Sequence, residues 1–406
     1  MTPKEQSYVG IDIGSTKVNV VVGIIDEPGK PSIIGVGSCP TSGLRKGVII
    51  DIEETVSSIS EAVELAQRSA GVHISNASIN IDGSHVTSLN SRGVIAVGRA
   101  DSEITFEDTI RATEAAQAIS LPSNKEIIHV IPREYTVDGQ TGIKDPIGMS
   151  GVRLEVETHI IAGSQPAIRN LYKCFSQAGL NIDERIATPL AAAKAVLSKR
   201  QKELGCISVD IGGGTTSVAI FDEGNELYTC ILPIGSGHIT NDIAIGLRSS
   251  IDIAEKVKLK YGYASPLEIP EKEKIDLSEF GGEGTTFKRQ VAKIIEARLK
   301  ELFDLVRDEL RRVGKDAMLP GGAVISGGGA NMPGIVGLAK SILKLPCEIS
   351  SPKGLHGLVE KVSAPEYATA LGLMLYSMDK QRTLGGNDKL AKAFERIKKL
   401  VRIFLP

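Results

Sequence analysis

The chain has 406 residues, 42% of them hydrophobic and 24% charged, with a formal net charge of −2. That length exceeds what one hydrophobic core usually serves, so two or more domains are expected, with the composition of an ordinary folded globular protein. The near-neutral balance excludes a global basic field for nucleic acid, and any charged partner must meet a local patch.

Residues 1–7 are polar and lead straight into a strand, so no secretory leader is expected. Residues 8–23, YVGIDIGSTKVNVVVG, read as a β-hairpin. A β-rich run ends at Asp12, passes a small-residue turn of Gly14, Ser15 and Thr16, and resumes at Lys17. From about Gly83 to Ala162 lie β-rich runs (Val94–Val97, Ile127–Val130, Leu154–Ile161) around one helix-patterned stretch, Thr105–Ile119. A small-residue helix, IATPLAAAKAVL, follows at 186–197. Residues 206–221, CISVDIGGGTTSVAIF, then repeat the first hairpin, with Ile11-Asp12-Ile13-Gly14 aligned on Val209-Asp210-Ile211-Gly212. Beyond it come PIGSGHITNDIAIGL (233–247), IAEKVKLKYG (253–262), an acid-rich stretch at 267–284 and a long helix pattern over 287–313. A third glycine-rich turn, GAVISGGGANMPGI (322–335), runs from a buried-type strand into Gly327, Gly328 and Gly329. A second small-residue helix, SAPEYATALGLMLY (363–376), precedes a polar linker at 378–387 that contains Gly385 and Gly386.

The last stretch, 388–406, places Leu390, Phe394, Ile397, Leu400, Val401 and Phe404 at spacings of three and four, one apolar stripe on a helix. Lys389, Lys392, Arg396, Lys398, Lys399 and Arg402 occupy the other face, against only Asp388 and Glu395. Such a helix anchors to a membrane surface, binds a partner or docks on its own domain. The Gly-Gly segment before it and its basic face on a near-neutral protein favour an anchor to an anionic membrane surface. No run of about 18 apolar residues is present, so no membrane-spanning helix is expected. Five scattered cysteines, never in a CxxC pair, argue against a disulfide framework or zinc site and fit a reducing cytosol; the six histidines do not cluster and are expected to be structural.

The chemistry of the duplicated hairpin follows from its residue types. Glycines admit an anion close to the backbone, and successive turn N–H groups form an anion-binding concavity. Ser15, Thr16, Thr215 and Thr216 add hydroxyl donors, Lys17 adds a positive charge, and Gly212, Gly213 and Gly214 form the second turn. Asp12 and Asp210 repel phosphate unless Mg²⁺ sits between, held through its waters. A single copy reads equally well as an ordinary turn; two copies at equivalent positions point to a polyphosphate site. GxxxxGK[ST] is absent, so this is not a Walker A loop. Gly327–Gly329 would let an adenosine moiety lie against bare backbone.

In this order the segments resemble the actin, heat-shock chaperone and sugar-kinase superfamily. The resemblance implies an α/β class, actin-like duplicated ATPase fold: two domains, each a mixed β-sheet flanked by helices, closing on ATP and Mg²⁺, plus inserted small subdomains. The segments between the motifs resemble the FtsA family of bacterial cell-division proteins. That resemblance implies subdomain 1A at 1–83, 163–197 and 363–377, an inserted subdomain 1C at 84–162, subdomain 2A at 198–233 and 301–362, and subdomain 2B at 234–300. The linker at 378–387 and the membrane helix at 388–406 complete the chain. It further implies filaments of the chain with itself, capture of the FtsZ C-terminal peptide on 2B, contacts with later division proteins through 84–162, and a place on the cytoplasmic face of the membrane at the septum. By resemblance Gly235 and Asn331 join the nucleotide site, Glu255 and Lys258 face ribose or adenine or else lie on a solvated helix face, and Arg298 meets the partner peptide or solvent. One departure bears on catalysis. Where hydrolysing relatives carry Glu or Gln to orient the attacking water, this chain has Thr188, so weak or absent turnover is expected. A pilus-assembly scaffold and a carbohydrate kinase of the same superfamily remain alternatives.

Overall fold

The computed structural model of the chain describes residues 6–26, 30–98, 102–349 and 355–386. The first hairpin pairs Tyr8–Ile13 antiparallel with Lys17–Ile25, Tyr8 opposite Gly23 and Ile13 opposite Val18. Its β-branched residues suit a pleated, buried surface, and Val9, Ile11, Ile13, Val18, Val20 and Val22 all enter one core. Pro31–Pro40 adds antiparallel beside Lys17–Ile25, and Asn76–Ile81 and then Asn181–Ala187 add parallel on the other side. His356–Gly357 completes a six-stranded sheet.

The second hairpin repeats this plan. Cys206–Ile211 is central, with Thr216–Asp222 and Asn225–Leu232 antiparallel on one side and Ala323–Ser326 and Cys347–Ile349 parallel on the other. The repeat seen in the sequence is thus a repeat of topology, and the architecture is the duplicated α/β fold expected. Inserted into the first half, between Asn76–Ile81 and Asn181–Ala187 in sequence, Thr87–Ala96, Arg153–Ser164, Lys125–Val137 and Gln140–Ile143 form a separate four-stranded sheet in that spatial order. The helix Phe106–Gln117 covers it, its start held by the Thr105 N–H and hydroxyl donating to Asp108. Ile104, Ala112, Ala116, Leu154 and Val156 give this insertion its own small core.

In the second half, helices Ser236–Leu247, Ile251–Tyr261 and Lys288–Arg312 pack through Ile239, Ile243, Val257, Val291, Ile295 and Leu299 into the same core as the five-stranded sheet. The boundary expected at residue 300 falls inside the third of these helices, whose buried stripe continues to Leu310.

Two helices cross between the halves, Thr188–Val196 and Ala368–Gly386. Their small residues allow backbone contact: a Cβ on Gly372 would lie 1.8 Å from the Ala191 carbonyl oxygen. The second helix runs on through Gly386, so the segment expected as a linker from residue 378 is helical to that point. Met378 is buried in the first half, Asp379 pairs with Lys194, and Lys380 pairs with Glu184. With no glycine or proline from Met378 to Leu384, tertiary partners extend the helix beyond its small-residue stretch. The apolar and basic residues of 388–406, Leu390 to Phe404, lie outside the described residues. Among the described residues no helix is long and apolar enough to cross a membrane.

Candidate functional site

The two hairpin turns meet face to face at the bottom of a cleft of about 610 Å³, open to solvent. A Cβ on Gly213 would come within 2.4 Å of Thr16, and one on Gly214 within 2.6 Å of the Ser15 hydroxyl. Only residues without a side chain let the turns approach so closely. The start of the helix Ser236–Leu247 fastens the second turn, its Ser236 and Gly237 N–H groups donating to the Gly212 and Gly213 carbonyls at 2.8 Å. Gly235 packs on the same two carbonyls. Gly327, at φ +81°, lies against the Ile211 carbonyl, whereas Gly328 faces open space. That leaves a bare patch of backbone on the cleft wall.

Asp12, Gly14, Ser15, Thr16, Lys17, Thr188, Asp210, Gly212, Gly213, Thr215, Gly327 and Gly328 line the cleft, all of them residues singled out from the sequence. Thr216 is buried behind it, its hydroxyl donating to the Ile234 carbonyl, and Gly329 packs on Ile211. Asn331 reaches the cleft only through Glu366, to which its amide donates at 2.8 Å. Glu255 and Lys258 do not line it. Lys258 is buried rather than solvated, its ammonium donating to Thr240 at 2.8 Å and pairing with Glu255 at 2.7 Å. It also lies 3.4 Å from the carbonyl of Ser236, a cleft residue. Arg298 lies away from the cleft with its guanidinium bound to both Asp242 oxygens, at 2.6 and 2.9 Å, and to Glu301.

Sequence reasoning missed Asp82, Asn80 and Glu366. Asp82 follows Asn76–Ile81, the strand parallel to the first hairpin, and its Asp-Gly step after an apolar alternation was the available signal. It accepts a hydrogen bond from Thr215 of the other half at 2.8 Å, while its Oδ1 is buried without a hydrogen-bond partner. Asn80 braces the first turn, donating to Asp12 at 2.8 Å and accepting from the Ile13 N–H at 2.8 Å.

Three aspartates therefore face one cleft. Burial, then the charges of Asp210 and Asp82, push Asp12 well above the carboxylate range. Burial also raises Asp82, against the hydrogen bond from Thr215. Asp210 rises from 3.8 to about 6, chiefly through burial; the Ser326 hydroxyl, donating at 2.7 Å, opposes this and the Asp82 charge adds to it. Buried like charges and an orphaned carboxylate oxygen suit a cation. Among the described residues the acids do not converge closely enough for a direct three-ligand metal site, which suits a cation that keeps its waters, as Mg²⁺ does. The glycine turns, their hydroxyls and Lys17 in the same cleft suit phosphate oxygens.

A carboxyl with a raised folded pKa takes up more protons folded than unfolded, so stability falls as pH rises from about 4 through about 6. Asp210→Asn should therefore raise the melting temperature of the ligand-free protein at pH 7, by the equivalent of on the order of 1–3 kcal/mol, and leave it little changed at pH 4. Melting curves at both pH values, without Mg²⁺ or nucleotide, check this; a variant that melts lower at pH 7 shows that no charge strain resides there.

Two sheets of repeated topology, closing on a cleft floored by paired glycine turns and acids, define a protein of the actin-like fold. Solved structures agree on the fold. The "PilM-PilN type IV pilus biogenesis complex" matches with TM-score 0.66 and 19% identity, over 91% of this chain and 98% of that one. MreB5 of Spiroplasma citri bound to ADP matches with TM-score 0.55 and 15% identity, over 95% and 100%. Sequence is more specific. The family model "Cell division protein FtsA" matches residues 207–372, and "SHS2 domain inserted in FTSA" matches 83–162, the segment of the four-stranded sheet. "Cell division protein FtsA" of Pseudomonas aeruginosa is 38% identical over 418 residues, covering 97% of both chains. The chain belongs to the FtsA family of cell-division proteins. That membership separates it from the pilus scaffold, whose likeness is one of fold, and from the carbohydrate kinases.

Proposed function

We propose that this chain binds ATP with Mg²⁺ in the cleft, polymerises, and tethers FtsZ filaments of the division ring to the cytoplasmic membrane through residues 388–406. The observation that carries the reading is the meeting of the two glycine turns over Asp12, Asp82 and Asp210. A fold neighbour, MreB5 of Spiroplasma citri, is bound to ADP. Asp12 and Asp210, with Asp82, would hold Mg²⁺ through its waters, and the ion would supply neutralisation between these acids and the phosphate oxygens. Thr16, Lys17, Gly213 and Thr215 would face phosphate, and Gly328 would underlie adenosine.

Turnover is slow in this reading. The Thr188 hydroxyl donates to the Ile81 carbonyl at 3.1 Å and is buried, and a threonine hydroxyl is a poor base. ATP then acts as a clamp between the halves. The region 234–300 receives the FtsZ C-terminal peptide, and using Arg298 there means exchanging Asp242 for a partner carboxylate. The insertion, 84–162, serves self-association and later division proteins at the septum. The test is calorimetry with ATP and Mg²⁺, followed by a turnover assay. Binding with turnover far below the ~10 s⁻¹ typical of enzymes is expected. Turnover near that rate would show another group orienting water and would refute the scaffold reading, and a pull-down with the FtsZ peptide tests the partner.

A further inference from the structure

Lys17 is the only basic side chain among the described residues lining the cleft, against Asp12, Asp82, Asp210 and Glu366. Three of those acids are accounted for by a cation. Glu366 is not: its Oε1 accepts from the Lys17 ammonium at 3.3 Å. Its other oxygen, Oε2, accepts from the Asn331 amide, at 2.8 Å. Lys17 belongs to the first hairpin and Asn331 to the glycine turn of the second half, so one carboxylate spans the two halves at the cleft. Its place is set by backbone bonds from both. The Asn19 amide donates to the Glu366 carbonyl at 3.2 Å, and the Gly327 N–H donates to the Pro365 carbonyl at 3.0 Å.

We propose that Glu366 is a latch that occupies the phosphate cation of the free protein and must release Lys17 before a polyphosphate can bind. The inference rests on the cleft being the ATP site. The carboxylate stands in for the anion: it neutralises Lys17 and ties the halves together while the cleft is free. An entering triphosphate competes with it for the same ammonium. Affinity is thereby lowered. Glu366 is a positioning residue in this scheme and takes no part in chemistry.

The experiment is calorimetry of Mg²⁺-ATP and of adenosine on the full chain, as wild type, E366Q, K17A and the double variant. E366Q keeps the side-chain shape but not the charge. It should bind ATP about two- to five-fold tighter, the range for a part-exposed ion pair, and leave adenosine affinity unchanged. In the K17A background E366Q should give no gain. Unchanged or weaker ATP binding by E366Q, or a gain that persists without Lys17, overturns the latch. Weaker binding would mark Glu366 as a ligand contact. Failure of wild type itself to bind ATP would instead overturn the ATP reading, so the two failures are distinct.

Discussion

Gly213→Val is expected to lower ATP affinity by at least about 100-fold, the largest effect of any single substitution in the cleft. A Cβ at this position would already stand 2.4 Å from Thr16 Cγ2 and 3.0 Å from its hydroxyl. Valine adds two methyl groups where the turns meet. Turning Thr16 aside or forcing the halves apart would relieve the clash, and either course takes space or a donor from the phosphate. Gly328→Val separates filling the cleft from straining the fold. A Cβ there meets nothing closer than Glu366 Cβ at 4.0 Å, so the variant should melt like wild type yet lose nucleotide affinity. Calorimetry with melting curves as control measures both; affinities within two-fold of wild type in the two variants would show that ATP does not lie between these turns.

Removing residues 388–406 is expected to move the protein from anionic liposomes to the soluble fraction while the rest stays folded. The contacts of the preceding helix, through Met378, Asp379 and Lys380, are all retained in the truncated chain. Each stripe residue contributes on the order of 1.5–3 kcal/mol if fully buried, and each cation about 1 kcal/mol near anionic lipid. Ordering and partial burial cancel much of this, leaving reversible attachment that filament formation strengthens by avidity. Replacing Phe394 and Phe404 with Asp should release the protein as truncation does. Replacing Lys398 and Lys399 with Glu should weaken attachment and flatten its salt dependence, because salt screens the charge contribution and not the apolar one. Co-sedimentation with vesicles across a salt series reads all of these outcomes. A truncated protein that still pellets, or that unfolds, would make the terminal segment a docked structural element.

What the sequence determined by itself was whatever depends on neighbours along the chain. The alternation of YVGIDIG and CISVDIG, with glycine where a turn must approach an anion, locates both hairpins and most of the cleft lining. The long stripe of 287–313 becomes the helix Lys288–Arg312, and the small residues of 186–197 and 363–376 become the helices that cross between the halves. Tertiary structure alone decided the rest, because each case turns on a partner far away in sequence. Asp82 enters the site only because its strand pairs with the first hairpin and Thr215 of the other half meets it. Glu366 matters because the chain returns between Lys17 and Asn331. The ammonium of Lys258 and the guanidinium of Arg298, which local pattern leaves open between ligand contact and solvent, meet Thr240 and Asp242 inside the chain. The helix from Ala368 continues past its small-residue stretch because Asp379 and Lys380 find Lys194 and Glu184. Periodicity records which face of an element is apolar; it carries no record of which distant charge that face will meet.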